Sequence, residues 1–283
     1  MNLRLESRLL ERVTITLIVA LAYGIVNGPS VFAQQAVASL RLYVLDCGDL
    51  GGNNPLAVPV YLVVHPRGTL LWEAGTLPDS LVESGGSTEK LLPNIRRAKS
   101  SKTLKAQLAE IGYPPSRITY FAMSHYHDDH SANANEFAGS TWLVQKNDRD
   151  AMFMEGAPPA YADPSFYDRL KDSKAIVIDN EDYDVFGDGQ VIIKYAPGHT
   201  PGHQMLFMRL SKTGPLLLSG DLYHQPAELQ NKAQVPFSHW NKEMSAATRV
   251  AIDAFIKEVG ATFWIQHDMT LFRTLKKSPD YYE

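Results

Sequence analysis

The sequence is poor in cysteine, since Cys47 is the only one among 283 residues. A disulfide within the chain is therefore excluded, and an exported form of the protein must be stable without one. Cys47 lies near the end of an apolar stretch, Tyr43–Gly48, that is typical of a β-strand. We interpret it as a small buried hydrophobic residue rather than a nucleophile.

The chain also lacks an excess of positive charge. It carries 27 lysines and arginines against 31 aspartates and glutamates, which gives a net charge of −4. This balance argues against nucleic acid as a partner. Internal repeats and low-complexity segments are absent from the sequence as well. A hydrophobic content of 45% at this length is sufficient for one large or two small domains.

A hydrophobic run that comfortably crosses a bilayer is also missing. The apolar stretch Val13–Val26 is shorter than the ~20 residues that a transmembrane helix needs. Three arginines precede it, and Val31 and Ala33 place small residues at positions −3 and −1 of a cleavage site. This pattern predicts a signal peptide over residues 1–33 and a periplasmic or secreted mature chain, residues 34–283, without a stable membrane anchor. An uncleaved anchor is the alternative.

Short apolar segments separated by glycine and proline predict a series of strands. They are Leu40–Leu45, Val58–Val64, Thr69–Glu73, Ile118–Met123, Thr141–Val144, Ala175–Ile178, Val191–Tyr195, Met205–Arg209, Pro215–Ser219 and Thr262–Gln266. Helical spacing of apolar residues predicts helices at Thr103–Ile111 and Ser245–Val259. The polar segment Thr76–Ser101 is predicted to be a long loop or lid with little regular structure.

The most informative feature of the chain is a run of histidines and carboxylates with the pattern H-x-H-x-D-H. It contains His125, His127, Asp129 and His130. Imidazoles with one carboxylate suit zinc or a similar first-row metal better than calcium or magnesium. A hydrophobic core does not require such a cluster, so the sequence predicts a metal-dependent enzyme.

The run divides into two pairs of candidate ligands. Alternate side chains of an extended segment point the same way, so His125 and His127 are expected to bind one metal ion together. Asp129 and His130 diverge from that pair and are better placed for a second ion. Asp128 is not at a ligand position, and a hydrogen bond to an imidazole and simple solvent exposure are both open for it.

Three further candidate ligands, His199, Asp221 and His267, each follow a predicted strand. Functional side chains commonly lie on loops above a rigid sheet. The predicted site holds two divalent metal ions, preferably zinc, with His125, His127 and His199 on the first, Asp129, His130 and His267 on the second, and Asp221 as the bridge. A mononuclear site is the alternative. His203 is expected to cap or pack beside its turn, and His65 and His239, which have no motif around them, are expected to be structural.

In this order, the motifs resemble the metallo-β-lactamase fold superfamily from about residue 38 to the C-terminus. The resemblance rests on the H-x-H-x-D-H run, Gly198-His199, Gly220-Asp221 and His267. It implies an α/β fold, the αββα four-layer sandwich, with two sheets face to face, helices outside and a dinuclear site at one sheet edge. Within the superfamily the chain is most similar to the N-acyl-homoserine lactonase group.

The predicted reaction is hydrolysis of a small-molecule lactone or ester. Two metal ions bridged by Asp221 and a water lower the pKa of that water toward ~7, which provides a hydroxide nucleophile at neutral pH. We therefore expect an exported dinuclear lactonase that opens N-acyl-homoserine lactones or similar lactones. A glyoxalase II-like thioesterase, a phosphodiesterase and a β-lactamase are alternatives on the same metals. β-Lactamases of this fold generally lack the bridging aspartate. A non-catalytic metal-binding protein is a further alternative, and a homodimer is left open.

The chain departs from the lactonase pattern near the bridge. Lactonases of this group often carry a tyrosine three residues after the bridging aspartate, whereas here that position is His224 and the tyrosine is Tyr223. Both are candidate hydrogen-bond donors to the substrate, and they join Asp129 and Asp221 in the predicted catalytic set. Glu73 stands where many members have aspartate.

An acyl pocket is also predicted. Its expected lining is the lid together with an aromatic loop, Tyr161–Tyr167. Phe166 in the loop and Leu92 in the lid are the positions expected to sense the length of the acyl chain.

Overall fold

The structure is a computed structural model that describes residues 39–83, 90–91 and 97–283. The predicted signal peptide, residues 1–33, and Leu92 of the predicted lid lie outside the described residues. Among the helices of the described part, none has the length and apolar character needed to cross a membrane.

In the described ranges the strands form two mixed sheets. The strands are β1 (Arg41–Leu50), β2 (Leu56–His65), β3 (Gly68–Trp72), β4 (Lys90–Leu91), β5 (Arg97–Lys99), β6 (Tyr120–Ala122), β7 (Thr141–Gln145), β8 (Ala175–Ile178), β9 (Tyr183–Asp184), β10 (Val191–Tyr195), β11 (Gln204–Leu210), β12 (Gly214–Leu218), β13 (Thr262–Trp264) and β14 (Tyr281–Tyr282). The first sheet has the order β4-β5-β1-β2-β3-β6-β7-β8, with β14 paired to β1, and the second has the order β13-β12-β11-β10-β9. Parallel pairing links β3, β6, β7 and β8 in the first sheet and β12 with β13 in the second.

The helices are short, with one exception. They are α1 (Asp79–Glu83), α2 (Leu104–Glu110), α3 (Asp128–Ser131), α4 (Lys146–Met152), α5 (Lys242–Val259) and α6 (Met269–Thr274), and the 3₁₀ turns are Pro115–Arg117, Ala134–Phe137, Pro164–Phe166, Asp168–Asp172 and Pro226–Leu229. The Asn241 side chain caps the first turn of α5 by accepting a hydrogen bond from the Met244 amide, and Gly260 ends the helix in the left-handed region.

Three buried apolar clusters show how the sheets and helices are layered. Strand β2 is apolar up to its last residue, His65, because both of its faces are buried: Val60 and Leu62 pack with α2 and α4, whereas Tyr61 and Val63 pack toward the second sheet. The other face of the second sheet packs against Ile252 of α5. The order of layers is therefore helices, sheet, sheet, helix, which is the αββα sandwich that the motifs predicted. Cys47 is buried in the first cluster, as predicted.

Candidate metal centre

The predicted ligand residues meet at one edge of the two sheets. The run of histidines follows β6 of the first sheet, whereas the other three residues follow β10, β12 and β13 of the second. All seven side chains are buried: His125, His127, Asp129, His130, His199, Asp221 and His267. His127 ends the extended segment and α3 begins after it, so the following Asp129 and His130 turn away from the first pair.

Three imidazoles form the first half of the cluster. The Nε2 atom of His199 lies 3.0 Å from Nε2 of His125 and 3.1 Å from Nδ1 of His127. Asp129, His130 and His267 form the second half, with 3.6 Å between His267 Nε2 and Asp129 Oδ2. The structure thus brings together the same two groups of three that the sequence predicted.

The Asp221 carboxylate lies between the two halves. Its Oδ1 atom is 3.1 Å from Nε2 of His267 and 3.3 Å from Nε2 of His130. Its Oδ2 atom is 3.4 Å from Nε2 of His199 and 3.9 Å from Nε2 of His125. Each oxygen therefore faces one half, which is the arrangement that a bridging carboxylate requires.

The hydrogen bonding of these atoms provides a test of whether a metal fits. His130 Nε2, His267 Nε2 and Asp221 Oδ1 are buried and form no hydrogen bond with a described residue. Buried polar atoms rarely remain without a partner. Ligands ~2.0–2.1 Å from a tetrahedral zinc ion lie about 3.3–3.4 Å from one another. The spacing and the donor types fit a cation that these atoms share.

The electrostatics of the two halves differ. Burial and the neighbouring histidines hold the pKa of His125 well below its usual value, and burial is also the main reason that the pKa of His199 is low. Burial opposes protonation of His130 too, but the carboxylates of Glu73 and Asp221 raise its pKa well above the usual value. Metal ligation requires neutral imidazoles, so a cation in the second half would take the place of that proton.

Contacts outside the cluster fix which ring nitrogens face inward. His267 Nδ1 donates to the carbonyl oxygen of Ala57 at 2.7 Å, and His125 Nδ1 lies 2.9 Å from the hydroxyl of Ser124. His130 Nδ1 lies 3.1 Å from Oε2 of Glu73. Glu73 directly follows β3 with a φ of 76°, in the left-handed region that a non-glycine residue rarely adopts. The acidic residue that departs from the family pattern thus orients a candidate ligand.

The turn that carries His199 is held by Asp148 of α4. The Asp148 carboxylate accepts hydrogen bonds from the Thr200 hydroxyl at 3.0 Å and from the Gly202 amide at 2.6 Å. Burial raises the pKa of Asp148 to about 7. Gly198 has a φ of 130°, and a Cβ there would lie 2.5 Å from the Ser245 amide nitrogen, so the turn requires glycine at this position.

His203 connects two of the ligand-bearing loops. Its Nδ1 donates to the carbonyl oxygen of Ala196 at 2.8 Å, and its Nε2 accepts a hydrogen bond from the backbone amide of Asp221 at 2.9 Å. This agrees with the predicted packing role. His65 pairs with Asp188 at 2.9 Å, away from the cluster. Asp128 is buried, so the alternative of simple solvent exposure was wrong.

The two candidate donors near the bridge have different positions. His224 Nε2 lies 3.3 Å from Oδ2 of Asp221, and its side chain is 17% exposed. Burial works against protonation of His224, but Asp221 and Glu228 raise its pKa to about 9. The structure corrects the prediction for Tyr223, which is fully buried against Phe263 in the cluster below α5. Neighbouring side chains diverge here, so only His224 reaches the centre.

His239 was expected to be structural, whereas the structure places it beside the candidate ligands. Its ring lies 4.6 Å from the ring of His199 and 5.3 Å from that of His224. Burial, together with the charge of His224, lowers the pKa of His239 to about 3, so the ring is neutral. The surrounding sequence contains no motif, and only the folded chain brings this residue to the centre.

Two cavities formed by described residues adjoin the centre. One of about 680 Å³ lies beside His267 and has a polar lining that includes Asn53, Gln225 and Arg273. The other, of about 450 Å³, lies beside His127 and His199 and is lined by Tyr126, Ala151, Met154, Pro159, Ala160, Tyr161, Pro201, Phe237, Ser238, His239 and Trp240.

The lining of the smaller cavity corrects the predicted acyl pocket. Of the aromatic loop, Tyr161 lies near the centre, with its ring 5.3 Å from that of His127. Phe166 and Tyr167 instead pack against the first hydrophobic cluster. Tyr167 belongs to that cluster and Phe166 is partly buried against it, so neither reaches the smaller cavity. Residues 237–240 supply the rim that the sequence had not suggested.

The sequence is similar to those of known proteins. The Metallo-beta-lactamase superfamily matches residues 53–253. The N-acyl homoserine lactonase AttM of Azorhizobium caulinodans is 26% identical over 280 residues, covering 87% of this chain and all of that protein. The N-acyl homoserine lactonase AiiA of Bacillus thuringiensis subsp. kurstaki is 24% identical over 237 residues, covering 80% of this chain and 87% of that protein.

Solved structures show the same fold. An N-acyl homoserine lactone hydrolase with N-hexanoyl-L-homoserine at its metal centre has a TM-score of 0.73 at 23% identity, covering 87% of this chain and 100% of that one. AidC, a dizinc quorum-quenching lactonase, has a TM-score of 0.61 at 17% identity, covering 86% of this chain and 94% of that one. With the family match and the clustered histidines and carboxylates, the chain belongs to the metallo-beta-lactamase superfamily and is a metal-dependent hydrolase.

Proposed function

We propose that the protein is a dinuclear lactonase that opens the ring of N-acyl homoserine lactones. The observation that carries the proposal is the position of Asp221, whose two carboxylate oxygens each face a separate group of three candidate ligands. Relatives that are named N-acyl homoserine lactonases align over most of this chain, which supports the choice of substrate.

The proposed ligands form two groups, which are the two sets of side chains that lie close together in the structure. His125, His127 and His199 would hold one ion, Asp129, His130 and His267 the other, and Asp221 both. A histidine-rich donor set with carboxylates favours zinc, which AidC also contains. Two such ions would activate water for attack and polarise the substrate carbonyl.

The side chains of this protein are proposed to transfer the protons of the reaction. Hydrolysis adds water across the ring ester bond, so one proton leaves the attacking water and one reaches the departing ring oxygen. Asp129 and Asp221 are the carboxylates proposed to accept the first proton. His224 is the proposed donor to a substrate oxygen, because it is the most exposed imidazole beside Asp221.

The donor role of His224 depends on neighbouring side chains. The Glu228 carboxylate accepts a hydrogen bond from the His224 amide at 2.9 Å and lies 3.4 Å from His224 Nδ1. Glu228 in turn pairs with the fully buried Arg249. This chain of contacts from α5 would keep Nε2 of His224 directed toward the substrate.

Mass spectrometry tests the proposal. The purified, zinc-loaded protein is incubated with N-decanoyl homoserine lactone, and the expected product is heavier by one water. Asp221→Ala should abolish the conversion and lower the bound zinc below two ions per chain. His65→Asn, at a buried histidine outside the centre, is the matched control and should retain both. A protein that binds two zinc ions and leaves the lactone intact would refute the proposal, and thioesters, phosphodiesters and β-lactams are then the substrates to assay.

Export is part of the proposal. The arginines, the apolar stretch Val13–Val26 and the small residues before Gln34 support cleavage after Ala33. N-terminal sequencing of the protein from the periplasm or the medium should begin at Gln34. A cytoplasmic protein that retains residues 1–33 would contradict export and leave the enzymatic proposal intact.

A further inference from the structure

The smaller of the two cavities is open at a hydrophobic rim. Met154, Phe237 and Trp240 are 55%, 82% and 58% exposed. Large apolar side chains that remain exposed around a cavity mark a binding site, and a volume of about 450 Å³ is in the range of small-molecule sites. The inner wall of the cavity contains His127 and His199, so a ligand held there reaches the metal centre.

His239 places one polar group in this wall. Its side chain is buried, with 5% of the residue exposed, and its Nδ1 lies 2.7 Å from the hydroxyl of Ser245. The Nε2 atom is buried and forms no hydrogen bond with a described residue. A buried ring nitrogen without a partner costs folding free energy. Because His239 lines the cavity, a ligand in the cavity can supply the missing partner.

We infer that His239 is a specificity-determining residue that binds the amide carbonyl of an N-acyl lactone, while Phe237 and Trp240 contact the acyl chain. The inference rests on the proposed lactonase function. When the Ser245 hydroxyl donates to Nδ1, the proton of the neutral ring is on Nε2, which then donates to the carbonyl oxygen.

The dimensions of the substrate agree with this placement. Three bonds separate the lactone carbonyl carbon from the amide carbonyl carbon, a distance of about 3–4 Å from ordinary bond lengths. The rings of His199 and His239 are 4.6 Å apart. A lactone carbonyl beside His199 therefore places the amide carbonyl beside His239 and directs the acyl chain toward the rim.

The test compares two substrates. One is N-decanoyl homoserine lactone, and the other is an alkyl lactone of similar chain length that lacks the amide. His239→Phe keeps a ring of similar size without its nitrogens and should lower the ratio of kcat/KM for the acyl-amide lactone to that for the alkyl lactone ~10-fold, mainly through KM. His239→Gln restores a donor and should recover most of the ratio. His65→Phe, the matched control, should leave the ratio unchanged.

An equal loss on both substrates, or a loss of bound zinc, would show that His239 only supports His199, and the inference would be wrong. An unchanged ratio would overturn it too. If His239→Phe does not fold, Ser245→Ala removes the hydroxyl at Nδ1 and should lower the ratio ~3-fold. A zinc-loaded wild-type protein that cleaves neither lactone would instead refute the lactonase proposal, and this inference with it.

Discussion

Asp148 makes the stability of the protein depend on pH in a direction that can be measured. Burial raises the pKa of Asp148 to about 7, whereas an aspartate in the unfolded chain has a pKa of about 3.9. Below pH ~4 both states are protonated and no difference arises. Between pH ~4 and ~7 the unfolded chain releases the proton and the folded protein retains it. Stability therefore falls as the pH rises, and above pH ~7 the loss is constant.

The magnitude follows from the shift. Each pH unit in this window costs about 1.4 kcal/mol, so the rise from pH 5 to pH 8 costs roughly 2–3 kcal/mol. Among the described residues, Tyr126, Tyr167 and Tyr195 are titratable side chains that sense the charge of Asp148, and burial raises the pKa of each above its usual value. They remain neutral over the window and add no slope of their own.

Asp148→Asn isolates this contribution. An asparagine oxygen still accepts from the Gly202 amide, and its NH₂ group can donate to the Thr200 hydroxyl, which rotates to accept. Urea unfolding of the zinc-loaded wild type and variant at pH 5 and pH 8 gives four free energies. From pH 5 to pH 8, the free energy of unfolding of the variant should rise by roughly 2–3 kcal/mol relative to that of the wild type. Parallel pH profiles would show that Asp148 does not carry a raised pKa, and the reasoning would fail.

Three other substitutions test the centre. Asp221→Asn should reduce kcat by ~100-fold or more because it weakens the proposed bridge, and zinc analysis alongside kinetics checks whether metal is lost with activity. Glu228→Gln should lower kcat ~10-fold with two zinc ions retained, because it weakens the contact with His224 Nδ1 as well as the ion pair with Arg249; an unchanged kcat would show that Glu228 does not position His224. Gly198→Ala should cost about 1–3 kcal/mol of stability because the new Cβ would overlap the Ser245 backbone, and thermal unfolding measures it; full stability would mean that the turn can move.

The sequence predicted most strands and helices well because they depend on local patterns of apolar residues. The strand predictions Ala175–Ile178 and Val191–Tyr195 match the observed bounds, and the predicted helix Ser245–Val259 is three residues short at its start. Strand pairing, by contrast, depends on contacts between distant segments. The two-residue strands β4, β9 and β14 were missed because so few residues carry no periodic signal. The segment Thr76–Ser101, predicted to have little regular structure, contains α1, β4 and β5.

The same contrast applies to the site. The candidate ligands were found because histidine and aspartate are rare in such combinations at strand ends. His239 and Trp240 were not found, because a single residue in a loop forms no pattern with its neighbours. Their position at the centre depends on how α5 packs on the second sheet. Phe166 was assigned to the pocket because the sequence does not distinguish an aromatic loop residue that lines a cavity from one that packs against the core.

The origin of the ligands in two different sheets has a mechanical consequence. Four candidate ligands follow a strand of the first sheet, and three follow strands of the second. Metal ions held between them would therefore act as a crosslink across the sandwich, in a chain whose single cysteine permits no internal disulfide. Such a crosslink forms only after both sheets have met. Its binding energy would accordingly stabilise the assembled sandwich and neither sheet alone.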